Sequence, residues 1–420
     1  MTAPLTPAGQ CPRDYTAPAL PPEGQPLPIF GDAFSANPHA TYTRLRQLHG
    51  GIAPVEIAPN VFGYLALSYW LALWMLRNTP NQFAKDPTHH WQALADGTIP
   101  DDSPARMMMM PRDNALWKDG PEHFYLRRAI TTALARVNSH AFATDVAHTA
   151  DELIDAFATT GHADLVAQFA DPLPMQSMIK LFGCPPDLGT KIVTAIGMLF
   201  DGQDAAQANR AVQEACLELT RLKRRHPGRD MTTWLLDTGL TDEQMIQTIL
   251  LVVGAATTPS SNWIMNGLLR ILTDMRFAGN VHNGVQPVSD AMDEVLWWDS
   301  PVANYSPLYP IGHQEYHGYV FHTGYPVLIS FAAANADPVL ALPSGSLRGN
   351  RGHLAFSAGV HACPAPGLAR TLAQTAMSRI LDRLPRLTLA TDLPPARRQG
   401  TFHSGLTTLP VQFQTAATGR

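Results

Sequence analysis

The stretch that decides the fold lies near the end of the chain and reads Phe356-Ser-Ala-Gly359-Val-His361-Ala-Cys363-Pro-Ala-Pro-Gly-Leu368-Ala-Arg370. Apolar residues recur at helical spacing through and after it, at Leu368, Leu372, Ile380 and Leu384. This pattern predicts a helix that begins just after Cys363. Because the positive end of a helix dipole favours an anion, we expect the pKa of the Cys363 thiol to be lowered, so that its thiolate can bind a metal.

The residues before the cysteine suit a flat cofactor. Gly359 has no side chain, so we expect the backbone to turn sharply there and to approach the cofactor closely. Phe356 can pack against the cofactor, and His361 can donate a hydrogen bond to a carboxylate at its edge. The alternative is that Cys363 is a small buried core residue and that His361 lies at the surface, as isolated cysteines and histidines commonly do.

The same string resembles the haem-binding signature of the cytochrome P450 superfamily, and the resemblance covers most of the chain, from Asn37-Pro38 to Leu409-Pro410-Val411. It implies a mainly α cytochrome P450 fold, with a large helical part and a smaller β-sheet region. We expect a proline-rich tail over residues 1–28 and a single domain of this kind over residues 29–420. The resemblance also implies that haem b is the cofactor, that Cys363 is the axial ligand of its iron, and that a ferredoxin-type protein donates electrons.

A second stretch, Asp119-Gly-Pro-Glu-His123-Phe-Tyr-Leu-Arg127, resembles the third helix of the family. His123 and Arg127 are four residues apart and therefore lie on one face of a helix. The resemblance implies that both bind the haem propionates, while a solvated helix face is the alternative. The family has a further propionate-binding arginine at the start of a strand region, and that position falls at Leu308. One anchor is therefore missing.

The stretch Leu250-Leu-Val-Val-Gly254-Ala-Ala256-Thr257-Thr-Pro259 resembles the long helix that crosses the distal face of the haem. Pro259 lacks an N–H and clashes with the carbonyl four residues earlier, so we expect the helix to open locally and to hold dioxygen and water. Thr257 matches the family's hydroxyl that hydrogen-bonds dioxygen, and Gly254 and Ala256 complete the predicted catalytic segment. Ala256 replaces an acidic residue, so protons have to come from water or from the substrate. The alternative for Thr257 is a bond back within its own helix.

Asp293-Glu294-Val-Leu-Trp297-Trp298 aligns with the Glu-x-x-Arg helix of the family, and Trp297 takes the place of the arginine. The second arginine of the usual cluster is also missing, since its position falls near Pro343. A buried carboxylate without a cation is costly. We therefore expect Glu294 to accept hydrogen bonds from an indole or backbone N–H, or to reach solvent.

The remaining patterns predict further elements only coarsely. A helix follows Asn37-Pro38, strands lie near residues 55–57 and 62–67, and helices dominate from 122 to about 272 before a strand region at 302–330. Leu409-Pro410-Val411 should be an edge strand or hairpin, because proline cannot donate to a sheet. The segment 86–117 reads as a long functional or mobile loop, in which Met107–Met110 either contact substrate or fill gaps.

Composition argues against several classes of partner. The chain has 420 residues, a net charge of −5 and 15% charged residues, which gives no reason to expect nucleic acid or an anionic membrane as partner. Its four cysteines have no metal-type spacing, so we expect no disulfide framework and a reduced, cytoplasmic location. No targeting or membrane-spanning segment is expected, and the protein is predicted to be a monomer.

Three functions remain open. The first is an enzyme that crosslinks tyrosine with a tyrosine, tryptophan or histidine side chain in a short, ribosomally made peptide, because the Glu294-Val-Leu-Trp297 variant resembles a group of actinobacterial P450 enzymes, some of which do this. The second is a monooxygenase that hydroxylates a small natural product. The third is a non-catalytic haem-binding protein, suggested by Ala256 and Trp297.

Overall fold

The computed structural model of the chain describes residues 26–200, 205–282, 284–340, 347–390 and 393–415. Cys11, Pro343 and most of the predicted tail lie outside these ranges. Within them the predicted architecture is confirmed, because helices form most of the structure and the strands form small sheets.

The bounds of the elements are as follows. The helices are α1 Gly31–Ala36, α2 Pro38–His49, α3 Tyr69–Arg77, α4 Gln92–Ala95, α5 Pro104–Met109, α6 Gly120–Leu134, α7 Ser139–Asp155, α8 Pro172–Leu181, α9 Pro186–Phe200, α10 Ala205–Arg225, α11 Met231–Leu236, α12 Asp242–Thr273, α13 Met275–His282, α14 Val288–Trp298, α15 Phe331–Asn335 and α16 Pro366–Arg383. The strands are β1 Leu27–Pro28, β2 Ile52–Ala58, β3 Val61–Ala66, β4 Phe83–Ala84, β5 His162–Asp164, β6 Asn304–Pro310, β7 Gln314–Tyr316, β8 Tyr319–Phe321, β9 Val327–Ser330, β10 Thr388–Leu389, β11 Ala396–Arg397, β12 Leu406–Thr408 and β13 Pro410–Gln412.

The helical part is organised around α12, which packs against α8, α10, α14 and α16. This helix begins with a capping box, in which the side chains of Thr241 and Gln244 each accept a hydrogen bond from the other residue's backbone N–H. Met245, Trp263 and Leu268 lie on it and are buried in the largest apolar core. Each such side chain stabilises the fold by about 2 kcal/mol when it is removed from water. The core therefore fixes α12 beside α16, the helix that follows Cys363.

The main sheet has six strands in the order β1-β2-β3-β9-β6-β4. The two strands predicted near residues 55–57 and 62–67 form the antiparallel pair β2 and β3, with Ile52 opposite Ala66. The sheet covers a second apolar core that contains Ile57, Leu65 and Tyr309. This part of the molecule carries β6, on which Leu308 lies.

Two coarse predictions are wrong. Pro410 opens β13, but β13 is the middle strand of a three-stranded sheet of order β10-β13-β5 and is not an edge. The segment 86–117 also holds two helices, α4 and α5, where a loop was expected. Met109 is fully buried in the core, so at least this methionine fills space between core residues.

No helix in the described ranges is long and apolar enough to cross a membrane.

Candidate functional site

The cysteine loop is a closed turn directly before α16. A short 3₁₀ turn spans Gly359–His361, and the backbone N–H of Cys363 donates to the carbonyl of Phe356 at 2.9 Å. The next helix starts at Pro366, as the apolar spacing predicts. The loop therefore holds the thiol of Cys363 close to the N-terminal end of α16.

Gly359 has the turn geometry predicted from the sequence. The close approach expected with a cofactor is made with another part of the chain. Its φ is +70°, in the left-handed region that favours glycine. A Cβ at this position would lie 2.1 Å from the carbonyl oxygen of Leu76 in α3. The close approach that requires glycine is thus made with the backbone of α3.

Phe356 joins the loop to the two helices that flank the site. Its ring lies 5.9 Å from the ring of Trp263 on α12, in an edge contact. The guanidinium of Arg370 on α16 lies 4.8 Å from the centre of the same ring, within the range of a cation–π interaction. These contacts fix the position of the loop between α12 and α16.

The expected lowering of the Cys363 pKa is wrong for the protein chain alone. Burial raises the pKa of the thiol, while the backbone N–H of Ala365 and the charges of Arg127 and Arg370 act in the opposite direction. Desolvation therefore outweighs the helix end and the two cations. A metal ion displaces the proton from a thiol that coordinates it, so the raised pKa does not argue against a thiolate ligand.

His123 and His361 lie together, as the sequence predicts. Their ring centres are 4.0 Å apart, and His361 Nε2 is 3.7 Å from Oδ1 of Asp119. Burial, together with the charges of His361 and Arg127, lowers the pKa of His123 to about 4. Both imidazoles are therefore predominantly neutral near pH 7, since the pKa of His361 is also lowered, mainly by burial.

These side chains offer unused hydrogen-bonding atoms. Nε2 of His123 and Nε2 of His361 are buried and have no hydrogen-bond partner in the part of the chain that the structure describes. Arg127 lies one turn after His123 and donates to the carbonyl of Ala362, next to Cys363. Buried polar atoms without partners are costly, and an imidazole whose Nε2 carries the proton can donate to a carboxylate placed there. The arrangement fits the carboxylates of a haem whose iron lies at Cys363.

The opposite wall of the site is α12. Thr257 is buried, and its hydroxyl donates to the carbonyl of Gly254 at 3.3 Å, which is the local bond considered as the alternative role. A Cβ at Gly254 would meet no atom within 4 Å outside the helix's own backbone, so a flat group can approach there. Ala256 is half-buried against the core. The helix continues through Pro259 without a break, so the local opening expected at the proline is not seen.

The sequence predicts that both arginines of the usual ion-pair cluster are missing from their expected positions. A different cluster with two arginines is present at α14. Asp293 is fully buried and accepts hydrogen bonds from Nε of Arg351 and Nε of Arg370, each at 2.8 Å. Trp297 instead donates its indole N–H to the carbonyl of Asn350 at 2.8 Å. This cluster was not predicted from the sequence, although the acid directly before Glu294 was a visible signal.

Glu294 itself is half-buried and accepts a hydrogen bond from the side-chain amide of Gln286 at 2.9 Å. Of the three alternatives expected for it, the indole and backbone donors are not the ones observed, while its partial exposure agrees with access to solvent. The carboxylate is satisfied by an amide donor, and the structural ion pair of this helix belongs to Asp293.

Leu308, at the position of the missing arginine, is buried in the apolar core beside α3. It lies on β6 and pairs with Val327 of β9.

No protein-family model matches the sequence. Curated relatives do match over nearly the whole chain. One is 2-hydroxy-5-methyl-1-naphthoate 7-hydroxylase of Streptomyces carzinostaticus, 28% identical over 91% of this chain and 97% of the relative. Another is the cytochrome P450 monooxygenase PikC of Streptomyces venezuelae, 29% identical over 92% of this chain and 94% of the relative.

Solved structures agree on the fold. CYP154C4 from a Streptomyces species superposes with a TM-score of 0.84 at 24% identity, over 93% of this chain and 99% of that one. Its low identity supports the architecture alone. The chain therefore has the cytochrome P450 fold and is an oxidoreductase that is similar, over nearly its whole length, to bacterial monooxygenases and hydroxylases.

Proposed function

We propose that the chain binds haem b through Cys363 and inserts one oxygen atom of dioxygen into a C–H bond of a small natural product. The observation that carries this proposal is the grouping around the cysteine loop. The thiol lies at the start of α16, and two buried imidazole nitrogens beside it have no hydrogen-bond partner among the described residues. The names of the curated relatives support hydroxylation, since one of them is a naphthoate hydroxylase.

Bound haem supplies the activation of dioxygen, using two electrons from a partner protein that we propose to be of ferredoxin type. The overall reaction consumes substrate, dioxygen, two electrons and two protons, and yields the hydroxylated product and one water. His123, Arg127 and His361 would hold the propionates, since they offer buried donors on one side of the cysteine loop. Cys363 would supply the thiolate.

Proton supply is the step in which this chain differs from its family. The hydroxyl of Thr257 makes only a long hydrogen bond of 3.3 Å to Gly254, so it can turn to another acceptor at small cost. The preceding Ala256 offers no carboxyl group. Thr257 would therefore pass on protons that come from water or from a hydroxyl of the substrate.

Dependence on protons from water or from the substrate favours a second candidate reaction, the crosslinking of aromatic side chains in a short peptide. A phenol can give up a hydrogen atom and form a radical that is delocalised over its ring. Two rings held in contact can then join before an oxygen atom is transferred, because the coupling is intramolecular. The balance is one dioxygen, two electrons and two protons consumed, with two waters formed and two hydrogens lost from the substrate.

One experiment separates these functions. The purified enzyme is supplied with a surrogate ferredoxin, its reductase and isotopically heavy dioxygen, with either a hydroxynaphthoate or a short peptide that contains tyrosine and histidine. Hydroxylation predicts a naphthoate product that gains one heavy oxygen. Crosslinking predicts a peptide product lighter by two hydrogens and free of the label. Failure to consume dioxygen above the substrate-free rate with either probe would contradict both proposals for these substrates.

A further inference from the structure

Lys85 is a buried amine that forms no ion pair within the described ranges. It follows β4, and 1% of its surface is exposed. Its ammonium donates to Oγ of Ser306 at 3.2 Å and to the carbonyl of Pro307 at 3.0 Å. No ion pair within the described ranges includes it. An ammonium has three donors, so one N–H has no acceptor among the described residues.

The surroundings keep this ammonium in place. The rings of Trp117 and Tyr305 lie 5.8 Å and 6.0 Å from Nζ, close enough for cation–π attraction. Even so, burial lowers the pKa of Lys85 to about 7, against the opposing effect of Asp119. Removing such a group from an apolar core is commonly neutral or stabilising, unless the charge has another use.

The ammonium contacts the two residues that come directly before the position of the missing arginine. Its two acceptors, Ser306 and Pro307, directly precede Leu308, the position of the absent arginine. The hydrogen bond from Nζ to the carbonyl of Pro307 places the amine of Lys85 beside β6. A cation from outside the strand can therefore serve there in place of an arginine on the strand.

The backbone of Lys85 also joins it to the histidine pair. The N–H groups of Lys85 and Asp86 donate to Oδ2 of Asp119 at 2.7 Å and 3.0 Å. The other oxygen of Asp119 is 3.7 Å from Nε2 of His361. Lys85 is one of the charges that lower the pKa of His361, after the larger effect of burial. The lysine and the unpartnered imidazole nitrogens therefore belong to one cluster.

We propose that Lys85 donates its remaining N–H to a haem propionate and so replaces the arginine that the family places at Leu308. This inference rests on the proposed function, because it requires bound haem. The competing explanation is structural. Ser306 has a φ of +52°, and Lys85 would then serve only to hold the bend at Ser306 and Pro307.

The test measures haem retention. Ferric holoenzyme is mixed with excess apomyoglobin, and the rate of haem transfer is recorded for wild type, Lys85→Met and Lys85→Gln. Lys180→Met is the matched control, because the ammonium of Lys180 on α8 also donates to a hydroxyl, that of Thr149 on α7, but has no contact with the cysteine loop or β6 among the bonds described. We expect both Lys85 variants to lose haem about tenfold faster, the control to match wild type, and the haem-free Lys85 variants to melt no lower than haem-free wild type.

A second arm tests the carboxylate directly. Each haem-free protein is reconstituted with the dimethyl ester of iron protoporphyrin IX, which lacks propionate charge. The difference in release rate between wild type and the Lys85 variants should then disappear. A difference that persists with the ester, unchanged release of ordinary haem, or loss of the haem-free fold in both variants would each overturn the proposal.

The result is separable from the proposed function. Wild-type protein with thiolate-ligated haem but no effect at Lys85 would refute only the present inference. Wild-type protein that binds no haem would refute the proposed function and this inference with it.

Discussion

At Gly359 a single missing side chain determines whether the cysteine loop can pack. Two separate constraints meet there, a φ of +70° and a carbonyl oxygen of Leu76 that lies 2.1 Å from the position of a Cβ. The first disfavours every residue except glycine, and the second cannot be relieved by rotating a side chain, since both groups belong to the backbone. Either α3 or the cysteine loop would have to move.

We therefore predict that Gly359→Ala lowers the free energy of unfolding by about 3 kcal/mol, from a left-handed backbone cost of about 1 and an overpacking cost of about 2. Gly318→Ala is the matched control. Its φ is +81°, but a Cβ there meets nothing within 4 Å, so Gly318→Ala should incur only the left-handed backbone cost. Urea unfolding of the two variants measures the difference. Equal losses would show that the contact with Leu76 is unimportant.

At the scale of elements, Asp293 connects α14 with α16 and with the segment before the cysteine loop. Its two oxygens each accept from a different arginine, Arg351 and Arg370, while its side chain is fully buried. Removing one member of a buried ion pair leaves the remaining charges uncompensated and is strongly destabilising. The neighbouring Glu294 accepts a hydrogen bond from the amide of Gln286 instead.

We predict that Asp293→Asn lowers the free energy of unfolding by about 3 kcal/mol, whereas Glu294→Gln lowers it by less than about 1 kcal/mol. The two variants make the same chemical change at adjacent residues of α14. Chemical denaturation followed by circular dichroism provides the measurement. A larger effect at Glu294 than at Asp293 would contradict the assignment of the ion pair.

Which elements could be predicted from the sequence depended on the range of the interaction. Helix α16 follows from local apolar spacing, and the position of Cys363 before it follows as well. The partners of Asp293 could not be predicted, because Arg351 and Arg370 come from other segments. Strand β13 was misassigned for the same reason, since both of its neighbouring strands are distant in sequence.

At the scale of the whole molecule, burial of neutral histidines makes stability depend on pH. His353 is buried against Trp297 and Phe356, and neither ring nitrogen has a hydrogen-bond partner within the described ranges. Burial is the main cause that lowers its pKa to about 4. As the pH falls, the unfolded chain, with a histidine pKa of about 6.5, takes up a proton at a higher pH than the folded protein does. The contribution of His353 to stability therefore falls as the pH drops from about 6.5 to about 4.

We predict that His353→Gln reduces the loss of unfolding free energy between pH 7 and pH 5 by about 2 kcal/mol. His39→Gln, at an exposed site on α2, is the control variant. Urea titrations at both pH values measure the two slopes. An unchanged pH dependence in His353→Gln would show that this imidazole does not remain neutral in the fold.

The general form of the site could also be predicted from the sequence, because Cys363, His123, Arg127 and His361 are indeed brought together. The chemistry of the individual groups could not. The raised pKa of Cys363 and the buried ammonium of Lys85 both depend on desolvation, which only the complete packing determines. Local motifs report which residues meet, whereas their charge states depend on everything that surrounds them.

The central claim is that Cys363 supplies the thiolate that binds haem iron. The most direct test is the absorption spectrum of the reduced, carbon-monoxide-bound protein, compared between wild type, Cys363→Ala and Cys184→Ala. Cys184 is a free, partly buried cysteine and serves as the control. We predict the red-shifted Soret band of thiolate-ligated haem in wild type and in Cys184→Ala, and its complete loss in Cys363→Ala. A Cys363→Ala protein that keeps this band would contradict the account.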